Sequence, residues 1–263
     1  MLGLGVGFYR LGGEDIASSL FSPKGGGGGG GVDRWYSANV GISGASGGSS
    51  DAGTMADGEN ITTWVDQSGN GADAVQATAA DQPHWETDAA DFGALKFDNV
   101  ADMTFEAIEI DANEDFSVII RIKPISFATD VIIGSDSSNF LRFNGSNANF
   151  RTKIGGAGNN NFNDSSNTVS TSVYSTFIFS RTNAEEGTLN LYVKAENVDN
   201  EIDWAEGHGE TDNDALGLSM IGAEASGTNE VNAFIKDVLI YKGRALSASE
   251  RIDMYSYLES QVY

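Results

Sequence analysis

The chain has 263 residues, enough to bury the core of one large all-β domain or of two small domains. Its 38 Asp and Glu residues against 15 Lys and Arg residues give a net charge of -23, which repels phosphate backbones and argues against a nucleic-acid partner. The absence of Cys and the presence of only 2 His exclude disulfides and make a multi-histidine metal site untenable. No apolar run approaches the roughly 20 residues that a membrane span needs.

Residues 1–31 differ in composition from the rest of the chain. Small apolar clusters are mixed with glycines and are followed by seven consecutive glycines, Gly25–Gly31, which indicates an arm and a flexible linker. The apolar side chains could fill grooves or add a strand at a neighbouring subunit's sheet edge, and we predict that they anchor the protein: Leu2, Leu4, Phe8, Tyr9, Leu20 and Phe21. The alternative is an arm that covers an edge of the chain's own sheet. We also expect no export signal, because no basic start precedes a long apolar stretch.

Strand patterns dominate residues 32–263, which we predict to form one domain. Apolar residues alternate with polar ones in four segments, 115–123, 176–180, 188–194 and 234–241. Clusters of Gly, Asn, Ser and Asp separate the segments, as in residues 155–167, and are typical of turns and loops. Many short strands without intervening helical periods predict an all-β fold, an antiparallel β-sandwich or jelly roll.

One helix is predicted, at the C-terminus. Ser247 and Glu250 have the spacing of a capping box. Ile252, Tyr255, Leu258 and Val262 then recur at helical spacing, so we expect this stripe to pack on the sandwich.

Two blocks carry a family resemblance. The first runs from Trp64-Val-Asp-Gln-Ser-Gly-Asn-Gly71 through Gln82-Pro83 to Gly93-Ala-Leu-Lys-Phe-Asp98, and the second from Phe234 through Glu250. In this order they resemble the opening, the last strand and the closing helix of laminin-G-like domains of the concanavalin A-like lectin/glucanase superfamily. The resemblance spans most of the chain, and it implies a jelly roll of two curved antiparallel sheets.

A calcium corner is one expectation for the first block. In Ser68-Gly-Asn-Gly71 the glycines and Asn70 permit a sharp turn that could direct oxygens of Asp66 and Asn70 inward. Domains similar to this one often hold a structural calcium near this loop, and Asp237 on the last strand is the partner we expect. The alternative is an Asx-type turn in which backbone amides satisfy Asp66.

The stretch Glu201-Ile-Asp-Trp-Ala-Glu206 matches the E-x-D-x-x-E pattern of glucanases in the same superfamily. Resemblance to them would make Glu201 the nucleophile, Asp203 its assistant and Glu206 the acid/base. The flanking residues have loop composition, however, so we predict that 196–215 connects two strands and that the match arises by chance in an acidic chain. In such a loop Trp204 is the candidate glycan contact, and its alternative role is packing over a sheet edge.

The opening residues, Met1-Leu-Gly-Leu-Gly5, ahead of a laminin-G-like domain also resemble virion structural proteins of tailed bacteriophages, notably of marine hosts. This resemblance implies a capsid decoration, head fibre or tail appendage subunit, assembled in the host cytoplasm into a virion. It also implies other virion proteins and copies of this chain as partners, with host-surface glycans as ligands. Two alternatives remain open, a free carbohydrate-binding module and a glucanase that uses Glu201 and Glu206.

Overall fold

The computed structural model describes residues 31–87, 93–145, 149–156, 158–162, 169–183, 187–196, 198–203, 212–225 and 229–261. Within them, short strands follow one another along the chain as far as a single C-terminal α-helix. The strands are β1 Arg34–Ser37, β2 Ile42–Gly44, β3 Ile61–Trp64, β4 Ala74–Val75, β5 His84–Glu86, β6 Ala94–Asp98, β7 Met103–Ile110, β8 Phe116–Pro124, β9 Val131–Asp136, β10 Asn139–Phe143, β11 Phe150–Lys153, β12 Asn160–Phe162, β13 Ser175–Thr182, β14 Thr188–Ala195, β15 Ile202–Asp203, β16 Leu216–Ile221 and β17 Asn232–Lys242. The helix is α1, Ala248–Ser260, and a short 3-10 helix covers Ala79–Asp81.

The strands form two sheets, and every pair of neighbouring strands is antiparallel. One sheet has eight strands in the order β15-β14-β13-β8-β17-β6-β5, with β1 also paired to β17. The long β17 pairs with β6 through residues 232–235 and with β1 through residues 237–240, so these two strands share one of its edges. The other sheet has nine strands in the order β12-β11-β10-β9-β16-β7-β4-β3-β2. The predicted antiparallel β-sandwich is therefore confirmed.

The main core lies between the two sheets and follows the period-two pattern of the sequence. Phe116, Val118, Ile120 and Ile122 of β8 all belong to it, as predicted. Six phenylalanines form a continuous aromatic cluster in this layer, with neighbouring ring centroids between 5.4 and 6.5 Å apart: Phe116, Phe143, Phe150, Phe162, Phe177 and Phe179. Offset and edge-to-face aromatic pairs of this kind stabilise a core beyond the area that they bury.

A second core lies between α1 and the outer face of the eight-stranded sheet. It joins Met254, Tyr255 and Leu258 of the helix to strand residues that point away from the main core, Ile119, Ile178, Leu239 and Tyr241. This explains why all nine residues of β8 are buried, because both faces of that strand are covered. The helix begins with the predicted capping box, in which Ser247 accepts from the Glu250 amide and Glu250 accepts from the Ser247 amide.

The predicted apolar stripe of α1 is wrong at one position. Ile252 is 60% exposed, while Val262 lies outside the described residues. At about 100° per residue, Arg251 lies between Met254 and Tyr255 around the helix, so the face that meets the sheet is centred on Arg251. The helix is rotated away from the orientation that Ile252 would require.

Two segments that the sequence assigned to loops contain short strands. Residues 155–167 include β12, which pairs with β11, and residues 196–215 include β15, which pairs with β14. Both strands lie at the ends of their sheets. A few hydrogen bonds to the neighbouring strand are enough to form such a short strand, so the sequence shows no long apolar alternation there. Residues 1–30 lie outside the described part of the chain, so the domain boundary at residue 31 stays a prediction. No described helix is long and apolar enough to cross a membrane.

Candidate functional site

Several predicted site residues lie outside the described residues. These include the six anchoring side chains, Leu2, Leu4, Phe8, Tyr9, Leu20 and Phe21, and also the glycan-contact candidate Trp204 and the acid/base candidate Glu206. Their assignments stay predictions. Among the other predicted site residues, Glu201, Asp203, Asp66, Asn70 and Asp237 are described.

Glu201 and Asp203 flank a residue that packs against the main core. Asp203 lies opposite Tyr192 and Ile202 lies opposite Val193 in the β14–β15 ladder. Ile202 packs against the main core. Because alternate residues of a strand point to opposite faces, Glu201, the neighbour of Ile202, points to the outer face, the face that α1 covers.

Glu201 is bound to the helix. Arg251 donates from Nε to Oε2 at 2.9 Å and from Nη2 to Oε1 at 2.8 Å, which is the bidentate geometry of a strong guanidinium–carboxylate pair. The Arg251 guanidinium also lies 3.4 Å from the ring centroid of Tyr192. Burial disfavours the charged guanidinium, but the hydrogen bonds and charge of Glu201 outweigh it and raise the pKa of Arg251. Both oxygens of Glu201 therefore serve a structural ion pair.

The Asp66 corner is a network of protein hydrogen bonds. Oδ1 accepts from the amides of Trp35 at 3.0 Å and Ser68 at 2.9 Å. Oδ2 accepts from the Ser68 hydroxyl at 2.7 Å and the Ala72 amide at 3.3 Å. Asn70 uses its amide nitrogen to donate to the Asp33 carbonyl at 2.8 Å. This arrangement fits the Asx-type turn, the alternative that the sequence left open, better than a calcium cage.

Asp237 lies on β17 opposite Ser37 of β1 and Arg121 of β8. It is 1% exposed, and its negative charge, after burial, contributes to raising the pKa of Tyr257 on α1 to about 12. Asp237 therefore faces the helix. Among the described residues no group of three or more His, Asp or Glu side chains could hold a metal ion. The calcium stays a prediction, and no chemistry below depends on it.

No element among the described residues covers the outer face of the nine-stranded sheet, in contrast to the helix-covered face of the other sheet. Side chains that point outward along β7 and β4 are exposed, including Thr104, Glu106, Glu109 and Val75. Ser219 and Met220 of β16 are partly exposed in the middle of the sheet. We name the outer surface formed by β9, β10, β11, β12, β16 and β7 the open face.

Three cations lie together on one side of the open face. Leu141 and Phe143 of β10 and Phe150 of β11 point into the main core, so Arg142, Arg151 and Lys153 point outward. Arg142 lies directly opposite Arg151, and Phe140 lies opposite Lys153. We call Arg142, Arg151 and Lys153 the cationic triad.

The cationic triad is organised by its neighbours. The Arg142 guanidinium stacks 4.6 Å from the centroid of the Phe140 ring, and Arg151 Nε donates to Asn161 Oδ1 at 2.7 Å. Lys153 Nζ donates to the Ser137 carbonyl at 3.2 Å. Burial and then the positive charge of Arg151 lower the pKa of Arg142, against an opposing contribution from Glu224.

The sequence reasoning missed this triad. The available signal was the pair of short alternating segments Asn139-Phe-Leu-Arg-Phe143 and Phe150-Arg-Thr-Lys153, which place cations at alternate positions on either side of a Gly-containing turn. Their register, which brings Arg142 opposite Arg151, depends on how the turn closes, and composition does not specify it.

Solved structures similar to this chain have the same architecture. A GH54 α-L-arabinofuranosidase soaked with a cyclic sulfate inhibitor superposes with a TM-score of 0.56 at 12% identity, covering 88% of this chain and 59% of that chain. An arabinofuranosidase complexed with arabinofuranosyl-α-1,2-xylobiose gives a TM-score of 0.53 at 13% identity, covering 92% of this chain and 60% of that chain. This chain thus spans about three fifths of each of these enzymes, and at such identities the likeness establishes the fold alone.

No curated protein matches the chain in sequence. A family model does match it over residues 97–250, more than half of its length, and that model describes the concanavalin A-like lectin/glucanases superfamily. The match runs from β6 to the first turn of α1 and includes the open face and the cationic triad. The chain belongs to the concanavalin A-like lectin/glucanases superfamily.

Proposed function

We propose that the protein is a lectin-like domain that binds glycans without cleaving them, displayed by a bacteriophage virion. The observation that carries the binding role is the open face. It is a broad sheet surface of outward polar and charged side chains in a superfamily of lectins and glucanases. Hydroxyl, amide and guanidinium groups at fixed spacing on rigid strands are suited to hydrogen-bond a polysaccharide.

The ion pair of Glu201 supports binding over hydrolysis. A retaining glycosidase needs two carboxyl groups about 5 to 5.5 Å apart, one of which attacks the sugar. Glu201 has both oxygens engaged by Arg251 on the face that α1 covers. A glucanase that uses Glu201 and Glu206 would have to release this pair and uncover that face, so it is the weaker candidate.

The virion context rests on residues 1–31 and on the resemblance of the opening segment to structural proteins of tailed bacteriophages. An apolar arm followed by seven glycines would anchor the domain in a capsid or tail and leave it mobile at the surface. Repetition of the subunit around a shell or fibre would multiply weak glycan contacts. In this proposal the subunit is a capsid decoration, a head fibre or a tail appendage, and it meets glycans on the host surface.

A truncation separates a virion subunit from a free carbohydrate-binding module. We expect a chain that lacks residues 1–31 to fold and to bind a glycan microarray as the full chain does, but to be absent from purified particles. Incorporation of the truncated chain at the normal level would overturn the anchoring role. A full chain that binds no glycan on the array would overturn the binding role.

An activity assay tests the glucanase candidate separately. We expect the full chain to release no reducing sugar from laminarin or agar. Hydrolysis that is lost in a Glu201→Gln variant with an unchanged circular dichroism spectrum would contradict the non-catalytic proposal.

A further inference from the structure

The cationic triad consists of like charges that form no ion pair with a carboxylate among the described residues. Arg142 and Arg151 lie directly opposite each other on neighbouring strands, an arrangement that destabilises an antiparallel pair. Within the described residues no carboxylate forms an ion pair with Arg142, Arg151 or Lys153. The chain has 38 acidic residues and only 15 basic ones, so this cluster is not explained by a general excess of cations.

Arg142 is the most costly member of the triad. Its Nε is buried and has no hydrogen-bond partner among the described residues, and the guanidinium lies on the Phe140 ring, which is only 4% exposed. An arginine that is stacked in this way is fixed in position. A residue that violates local electrostatic preferences, with only the charge of Glu224 acting against the cost, is typical of a functional site.

We propose that the cationic triad is a subsite for the oxyanion substituent of an acidic glycan, a carboxylate or a sulfate ester. This inference rests on the proposed glycan-binding function and names its ligand class. Two guanidinium groups on neighbouring strands can both donate to one oxyanion, which relieves their mutual repulsion. Arginine suits this role because its planar donors match carboxylate and sulfate oxygens.

The negative charge of the whole protein does not prevent this interaction. The Debye length is about 8 Å at physiological ionic strength, whereas neighbouring strands lie about 4.8 Å apart. An oxyanion in contact with the triad therefore experiences the local cations strongly and the distant acidic residues weakly. The nearest opposing charge identified is that of Glu224, which acts on Arg142.

Two matched glycan pairs test the proposal with the full chain. Oligogalacturonate is compared with its methyl ester, and dextran sulfate with dextran, by isothermal titration calorimetry. We expect tighter binding to at least one anionic member than to its neutral counterpart, and the pair that responds identifies carboxylate or sulfate as the substituent. We expect Arg151→Gln to weaken that binding about tenfold to hundredfold, the effect of losing one charge-assisted hydrogen bond.

Two further variants separate a specific site from general charge. Lys96→Gln removes the same charge from a partly exposed position on β6 in the other sheet, and it should leave the affinity unchanged. Arg142→Lys keeps the charge but removes the planar donors, so it should weaken binding. This conservative variant is used because a more drastic change at residue 142 could unfold the protein. Thermal melts confirm that each variant is folded.

The outcomes distinguish the proposed oxyanion subsite from the proposed glycan-binding function on which it rests. Equal affinity for anionic and neutral members, or anionic binding that survives Arg151→Gln, would overturn the subsite while leaving a glycan-binding domain. The absence of binding to these four probes and to a glycan microarray would overturn both. Equal losses in Arg151→Gln and Lys96→Gln would show non-specific electrostatics and also overturn the subsite.

Discussion

Arg251 of α1 holds both carboxylate oxygens of Glu201, the residue that precedes β15, through hydrogen bonds of 2.9 and 2.8 Å. The pair joins the C-terminal helix to the outermost strand of the eight-stranded sheet. Its side chains are 11% and 20% exposed, so the two charges are largely removed from water. The stretch that looks like a catalytic signature thus contributes to the attachment of the helix.

Glu201→Gln should destabilise the fold. The substitution leaves the Arg251 guanidinium without its counter-charge in a partly buried position, and we expect a loss of about 1 to 3 kcal/mol. Urea denaturation followed by circular dichroism measures the change. Glu106→Gln, on an exposed position of β7, is the control and should change stability by less than about 0.5 kcal/mol. Equal midpoints for the two variants would show that the pair contributes nothing.

Ser247→Ala should destabilise α1 by about 1 kcal/mol, because it removes the side chain that caps the Glu250 amide. Ser256→Ala is the matched control, since Ser256 is exposed within the same helix and donates only to the Ile252 carbonyl. Alanine has the higher helix propensity there, so this variant should be neutral or slightly more stable. Thermal melts distinguish the two, and a loss at both positions would contradict the role of the cap.

The Glu250 carboxylate should make stability depend on pH. Burial alone would raise its pKa, but the Ser247 amide and hydroxyl and the Arg244 guanidinium outweigh burial and lower it. A carboxylate with a lowered pKa in the folded state stabilises the fold fully above its unfolded pKa of about 4.3. This contribution is lost as pH falls through the lower folded pKa. The stability difference between the wild type and Glu250→Gln should therefore shrink between pH 7 and pH 3, and a constant difference would refute it.

Gly222→Ala should be poorly tolerated. Gly222 has a φ of +91°, and a Cβ there would lie 2.5 Å from Cδ1 of Phe97 and 2.8 Å from the Ala101 carbonyl oxygen. Gly58 has a φ of +69° with no atom within 4 Å of the added Cβ. Gly58→Ala therefore reports backbone strain alone, about 1 to 2 kcal/mol, and Gly222→Ala should cost about 1 to 3 kcal/mol more from overpacking. Similar denaturation midpoints for the two variants would show that the neighbours of Gly222 move aside at little cost in folding free energy.

The elements predicted most accurately are those whose signal is local. Alternation in residues 116–122 identified β8 and its inward face, and the Ser247–Glu250 spacing identified the start of α1. Both signals come from residues that are close together in the sequence and belong to the same strand or helix. The laminin-G-like resemblance added the architecture, because it related blocks at opposite ends of the chain.

The features that were missed depend on contacts distant in sequence. Spacing alone predicts Ile252 on the buried face of α1, but Arg251 occupies the centre of that face. The partner of Arg251 is Glu201, which lies 50 residues away in the sequence, so helical spacing carries no sign of it. The Arg142–Arg151 pair arises from the register of a hairpin, which the turn determines. The two-residue strand β15 forms by pairing with the edge of β14, and it is too short to show the apolar alternation that predicts a strand.

The position of α1 gives the domain one closed side and one accessible side. Because α1 packs on the eight-stranded sheet, the strand residues that a large, stiff ligand can reach, among the described ones, lie on the nine-stranded sheet. Attachment through the closed side and ligand capture through the open face would then not compete for area. Copies fixed in a regular array would all present the same side, and a modest affinity per copy would be raised by simultaneous engagement of several sites on one polymer.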